Sequence, residues 1–286
     1  MNAVKKYLSL IKFSHTVFAL PFAIIGFCLA IYSGKAIFSW EKLFLVIGCM
    51  VFARSAAMAF NRYIDRAFDA LNPRTAIREI PAGQIKPKSA AAFTLISAAL
   101  FMICAYFINK LCFYLSPVAL LVVLGYSFTK RFTPLCHLIL GLGLSLAPIG
   151  AYLALTERFD FLPLIFSGIV FLWVSGFDII YALQDEEFDR GQNLKSIPVL
   201  IGTKNALRLS EVLHLIAAVG VVLGFIYGDF SWLYLGGALV FIGLLLYQHL
   251  IVKPTDLSRV NLAFGTTNGV ASVIFCLFVC LDIFLL

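Results

Sequence analysis

The chain is 286 residues long, 62% hydrophobic and only 13% charged, whereas soluble domains run at roughly 45–50% apolar and about 25% charged. This excludes an ordinary soluble domain and leaves an integral membrane protein. No hydrophilic block is large enough to fold separately, so residues 1–286 read as a single membrane domain.

Apolar stretches close to the ~20 residues needed to cross the hydrocarbon core fall at about 13–32, 43–62, 88–107, 112–128, 136–155, 162–182, 208–227, 232–251 and 264–286. They predict an all-α, multi-pass bundle of about nine transmembrane helices, or eight if the short fourth stretch joins the third. Lys5, Lys6 and Lys12 precede the first stretch as they would a signal peptide, but its length and the lack of an Ala-x-Ala site predict a retained helix. No Arg- and Ser-rich transit segment precedes it, which points to a bacterial inner membrane rather than an organelle.

The net charge of +7 does not indicate nucleic acid, because the basic residues sort by side of the membrane. With the N-terminus cytoplasmic, the inner segments hold Lys5, Lys6, Lys12, Arg62, Arg66, Arg74, Arg78, Lys86, Lys88, Lys130, Arg131, Arg190, Lys195, Lys204, Arg208, Lys253 and Arg259. The outer loops hold Lys35, Lys42, Lys110 and Arg158. This asymmetry obeys the positive-inside rule for nine spans, and removing an upstream span would destroy it. The seven cysteines lie in or at the ends of apolar stretches with no CxxC pair and read as small packing residues. His15, His137, His214 and His249 share no spacing and read the same way.

The fifteen acidic residues cluster. Asn61, Asp65 and Asp69 recur every four residues in NRYIDRAFDALNPRTAIREIPAG (61–83), and Asp178, Tyr181, Asp185 and Asp189 follow at steps of three, four and four in DIIYALQDEEFDRGQNLKSIPVLIG (178–202). Each set forms one stripe if the preceding span continues as helix. A shift of 120 residues carries Asp65 onto Asp185 and Asp69 onto Asp189, as a degenerate internal repeat would. Like charges four apart repel, so two carboxylate stripes beside a bilayer call for a compensating cation. Mg²⁺, which takes oxygen ligands from one or two carboxylates plus substrate phosphates, fits. A solvated helix end is the alternative for any one of these acids, and Glu186 and Glu187, off the stripe, are assigned to it.

Basic residues follow each stripe: Arg74 and Arg78 after Asp69, Arg190 and Lys195 after Asp189, with Lys130 and Arg131 ending the fourth span beyond Tyr126. They suit phosphate oxygens, although inner loops are basic for topology alone. Arg54 is different, lying inside the second span two turns before Asn61, on the same face and deeper. An ionisable residue there is costly and marks a functional site. An acceptor carboxylate is its expected partner, with a structural pair to a helix carbonyl or buried acid as the alternative.

The segments N61RYIDRAFD69ALNPRTAIR78 and D178IIYALQDEEFD189, with KRFT at 130–133 and LKSIPVLIG at 194–202, resemble the UbiA superfamily of intramembrane aromatic prenyltransferases, and within it the 4-hydroxybenzoate polyprenyltransferases. The resemblance implies a nine-helix bundle around a central cavity, with cytoplasmic caps over a diphosphate and a lateral opening for the lipid tail. It implies that Asn61, Asp65, Asp69, Asp185 and Asp189 hold Mg²⁺ and diphosphate, that Arg74, Lys130 and Lys195 meet phosphate oxygens, and that Arg54 binds the acceptor. Arg62 is a departure, since some relatives carry a second acid there.

The expected reaction is ionisation of a polyprenyl diphosphate and attack by a small aromatic acid, with Asp178 steering or accepting the proton and Tyr126 and Tyr181 lining the cavity. Three rivals stand beside it. A naphthoate acceptor of menaquinone synthesis is left open. A CDP-alcohol phosphotransferase would show an Asp-Gly pattern that is missing, and a cation transporter would place acids near mid-bilayer, whereas these lie at span ends.

Overall fold

The computed structural model describes residues 3–12, 16 and 18–286. His15 and the opening of the first expected span fall outside those residues. The described chain is helical: α1 (Ala3–Leu10), α2 (Leu20–Tyr32), α3 (Trp40–Ile64), α4 (Arg66–Leu71), α5 (Pro87–Ile108), α6 (Lys110–Thr129), α7 (Cys136–Thr156), α8 (Phe161–Ala182), α9 (Glu186–Gly191), α10 (Ile197–Gly228), α11 (Trp232–Ile251) and α12 (Asn268–Leu285). A π-turn, Leu262–Thr267, leads into α12.

Local chemistry sets the helix starts. Ser39, Asn109 and Ser196 each accept a hydrogen bond from the backbone N–H three residues on, capping α3, α6 and α10. Pro87 and Pro198 occupy first-turn positions where no N–H is needed. Eight helices among the described residues are long and apolar enough to cross a membrane, and α2 adds a shorter apolar helix of 13 residues. The expectation of about nine spans therefore meets eight of full length. One boundary departs by a wide margin: the stretch expected at 208–227 begins at Ile197, and Gly202 interrupts it at φ +75°, a conformation glycine alone adopts freely.

The bundle centres on α7 and α8, which pack on each other and on α2 and α10. Small residues allow this. A Cβ on Gly26 of α2 would lie 2.0 Å from the Pro148 carbonyl oxygen of α7, and one on Gly176 of α8 would strike the His214 ring of α10, so these pairs approach as only glycine permits. The largest core cluster joins α2, α8, α10, α11 and α12 around Trp173, Phe22, Phe166, Phe241 and Phe275.

The internal repeat extends well beyond the acids. Displacement by 120 residues carries α4 onto α9 with the same ends, α3 onto α8 within two residues, α6 onto α11 within two residues, and the end of α5 onto the end of α10. It also carries α2 into α7 and α7 towards α12.

Candidate active site

The two acidic stripes meet at one pole of the bundle. Neither rides on an unbroken helix, as the spacing alone suggested. Asp65 leaves helical geometry at φ −86°, ψ 2° between α3 and α4, and its counterpart Asp185 does so at φ −109°, ψ 1°, at the end of the 3₁₀ turn Leu183–Asp185. Both fall in the sparsely populated bridge region favoured by many active-site residues. The register nevertheless survives the first break, since Asp65 N–H still donates to the Asn61 carbonyl at 2.9 Å and Asp69 N–H to that of Asp65 at 2.8 Å.

The stripes are joined by the segment after α4. Asn72 Nδ2 donates to Asp185 Oδ1 at 3.0 Å, and the Arg74 fork grips both Asp185 oxygens while its Nη1 donates to Tyr181 Oη at 2.9 Å. Asp69 pairs with Arg78 at 2.6 Å, Asp65 with Arg131 at 2.8 Å, and Asp189 with Lys130 at 4.0 Å. Each carboxylate thus forms one ion pair. Asp65, Asp69 and Asp189 are only 4–6% exposed, so such partners are required. Burial raises the Asp65 carboxyl above the ordinary aspartate range despite the pull of Lys130 and Arg131. Burial alone would lower the affinity of the Arg74 guanidinium for its proton, but Asp185 and Tyr181 outweigh it and raise it.

Between the stripes lies a polar pocket of about 160 Å³, walled by Asn61, Asp65, Asp69, Arg74, Arg78, Tyr126, Lys130, Asp178, Tyr181, Asp185 and Asp189 among others. Next to it an apolar cavity of about 350 Å³ runs between α3, α5, α6 and α7. Tyr126 belongs to both walls. Arg54 lies on the apolar side, its Nε buried without a hydrogen-bond partner, which gives an anionic ligand group a place to dock.

Lys195 does not reach the pocket wall: its Nζ donates to the Phe132 carbonyl at 3.2 Å and its N–H to that of Lys130 at 2.6 Å, tying two loops together. Arg131 is not on the wall either and pairs with Asp65. Glu186 binds Arg190 and Thr203, away from the stripe as its spacing indicated. Two residues escaped the sequence reading. Asn72 was marked only by the Asn-Pro dipeptide, a turn signal. His137, read as packing, lines the pocket and bonds Asp178 at 2.7 Å; the signal that would have found it is its ionisable side chain beside a span boundary. His214 and His249 also pair with each other, at 2.9 Å, inside the bundle.

The donor set suits a hard divalent cation, since Asn61 and the four aspartates offer only oxygens once Asn61 Nδ2 is committed to Asp65. One oxygen stands out. Asp69 Oδ2 is buried without a hydrogen-bond partner, an arrangement that needs a cation or donor. Among the described residues the acids are turned onto their basic partners, so no three converge as a ready-made ligand group.

Residues 19–279 match the model of the UbiA prenyltransferase family. The chain is 32% identical over 245 residues to the 4-hydroxybenzoate octaprenyltransferase of Aeromonas salmonicida, covering 82% of this chain and 81% of that one. It is 31% identical over 241 residues to the enzyme of the same name from Aeromonas hydrophila, with 82% of each covered. The fold superposes on the apo structure of a UbiA homolog from Aeropyrum pernix K1 with a TM-score of 0.85 at 30% identity, over 94% of this chain and 98% of the other. It also matches a UbiA homolog from Archaeoglobus fulgidus bound to GPP and Mg²⁺, with a TM-score of 0.71 at 21% identity over 97% and 99% of the two chains, a likeness of fold. The chain is a multi-pass membrane transferase and belongs to the UbiA prenyltransferase family.

Proposed function

We propose that the chain transfers a polyprenyl group from an allylic polyprenyl diphosphate to an aromatic acid, 4-hydroxybenzoate, on the route to ubiquinone, with the acidic tips facing the cytoplasm of a bacterial cell. The observation that carries this reading is the junction at Tyr126 of a charged pocket and an apolar cavity. An ionic head on a long hydrocarbon tail needs both compartments, side by side. The names of the bacterial relatives and the GPP and Mg²⁺ bound to one structural neighbour support it.

Arg74, Arg78 and Lys130 on the pocket wall bind and orient the diphosphate, with Arg131 behind them holding Asp65. Asn61, Asp65, Asp69, Asp185 and Asp189 would hold Mg²⁺, which when bound supplies charge neutralisation for the leaving diphosphate. The prenyl chain lies in the apolar cavity, where Tyr126 presents a ring to the developing carbocation. Arg54 receives the acceptor carboxylate through its guanidinium fork. Asp178, on the pocket wall one to two turns deeper than Asp185, takes the ring proton. Lys195 contributes by fixing the loops that bear Lys130 and Asp189.

The test is incubation of purified protein with labelled geranyl diphosphate, Mg²⁺ and either 4-hydroxybenzoate or a dihydroxynaphthoate. Prenylated hydroxybenzoate is expected. Exclusive prenylation of the naphthoate would move the enzyme to menaquinone synthesis, and no product from either acceptor would overturn the proposal.

A further inference from the structure

His137 lies in the first turn of α7 beside the polar pocket and is 3% exposed. Two contacts define it. Its Nδ1 lies 2.7 Å from Asp178 Oδ2 on α8, and its Nε2 lies 3.4 Å from the backbone nitrogen of Ile197, in the first turn of α10. An amide N–H can only donate, so Nε2 presents its lone pair, and the ring hydrogen sits on Nδ1, directed at the carboxylate. The Ile197 N–H is one of the donors that a helix start leaves without an internal partner, while Ser196 serves the N–H of Val199. Three helices therefore converge on one carboxylate: α10 fixes the tautomer, α7 carries the ring and α8 presents the acid.

We propose that His137 is a positioning residue for the proton-accepting step, holding Oδ2 of Asp178 so that the carboxylate turns a fixed edge to the acceptor ring. This rests on the reading of Asp178 as the proton acceptor given above. Asp178 keeps a 20% exposed side chain on the pocket wall while its Oδ2 is tied back to His137. In the reaction the allylic C–O bond breaks and its electron pair leaves with the diphosphate. A ring π pair forms the new C–C bond. The ring C–H bond then breaks, its pair restoring aromaticity and its proton passing to Asp178. A base acts only within hydrogen-bond reach of the proton it takes, and an unanchored carboxylate would rotate among several orientations at that moment.

The test uses the full-length protein with geranyl diphosphate, Mg²⁺ and 4-hydroxybenzoate, with gel filtration and geranyl diphosphate binding as checks of folding. His137→Ala is expected to lower kcat roughly tenfold or more, within the range by which a misplaced general base slows a reaction, while KM for the diphosphate stays within about twofold. Free imidazole should restore part of the lost rate, and His137→Gln, which keeps a donor and an acceptor, should lose less than His137→Ala. In an Asp178→Asn background His137→Ala should cost little more, because residues acting through one another are not additive. If His137→Ala does not fold, His137→Gln and His137→Gln with Asp178→Asn supply the same cycle. Unchanged kcat in the single variants, or additive losses in the double, would overturn the proposal. Wild-type turnover of Asp178→Asn would instead remove the proton-acceptor reading beneath it.

Discussion

The two acidic tips are copies in geometry and opposites in what surrounds them. Asp65 and Asp185 share a backbone break, Asp69 and Asp189 share a buried turn, and α4 and α9 have the same length. Displaced by 120 residues, however, Arg54 falls on Val174, Arg74 on Leu194, Arg78 on Pro198, Tyr126 on Leu246, and Lys130 and Arg131 on Leu250 and Ile251. Every basic group that meets one of the four aspartates at the two tips comes from the first half, and the apolar cavity lies there too, between α3, α5, α6 and α7. On the other side α8, α10, α11 and α12 pack with α2 into the Trp173 core. The acids are paired by the 120-residue repeat, whereas their basic partners and the apolar cavity are not; for the proposed donor, elongated with one charged end, one receptor side would be enough.

The sharpest way to break this comparison is to remove one acid from each copy. Asp65→Ala and Asp185→Ala should each lower product formation roughly hundredfold or more, as losses of transition-state charge stabilisation do, with the protein still monodisperse on gel filtration. Retained turnover in one copy alone would mean that only the other tip works. A smaller effect is expected from the unpaired basic side: Arg54→Ala should raise the acceptor KM about tenfold, the cost of one charge-assisted contact, while leaving the diphosphate KM unchanged in steady-state kinetics.

Acidity sharpens the comparison further. A metal must displace the proton from its carboxylate ligands, and burial has raised the Asp65 carboxyl. As pH falls, Asp65 therefore binds a proton earlier than a free aspartate would, so the Mg²⁺ concentration giving half-maximal rate should begin to rise before the ordinary aspartate range is reached. An Mg²⁺ requirement flat with pH down to the ordinary aspartate range would contradict this. The smallest effect belongs to the second tip's surplus acid: Glu186→Ala loses contacts to Arg190 and Thr203, so activity should stay within about twofold in the same assay.

Hydropathy made most of the bundle legible, because each long helix has to satisfy its backbone internally and bury or expose a nearly continuous apolar surface. The acids were legible for the opposite reason, being polar where polarity is expensive. Three features were not. The helix breaks at Asp65 and Asp185 involve neither glycine nor proline, so nothing in the local sequence marks them. The early start of α10 at Ile197 was hidden by Gly202 and the polar residues after it. His137 and Asp178 are 41 residues apart, and only the packing of α7 on α8 brings them together. Lys195 shows the converse: its sequence neighbourhood suits phosphate, and in the structure its ammonium group donates to the Phe132 carbonyl instead.

Tyr126, standing in both walls, has a consequence for how the enzyme spends its donor. In the proposed reaction the bond that breaks would span the frontier between the polar pocket and the apolar cavity, the anion leaving on the charged side and the electron-poor carbon staying among C–H and aromatic surfaces. On that reading, competing capture by solvent, which would release a useless prenyl alcohol, would be suppressed by architecture alone. Widening that frontier with a smaller residue should show up first as wasted donor, before any loss in the rate at which donor is consumed.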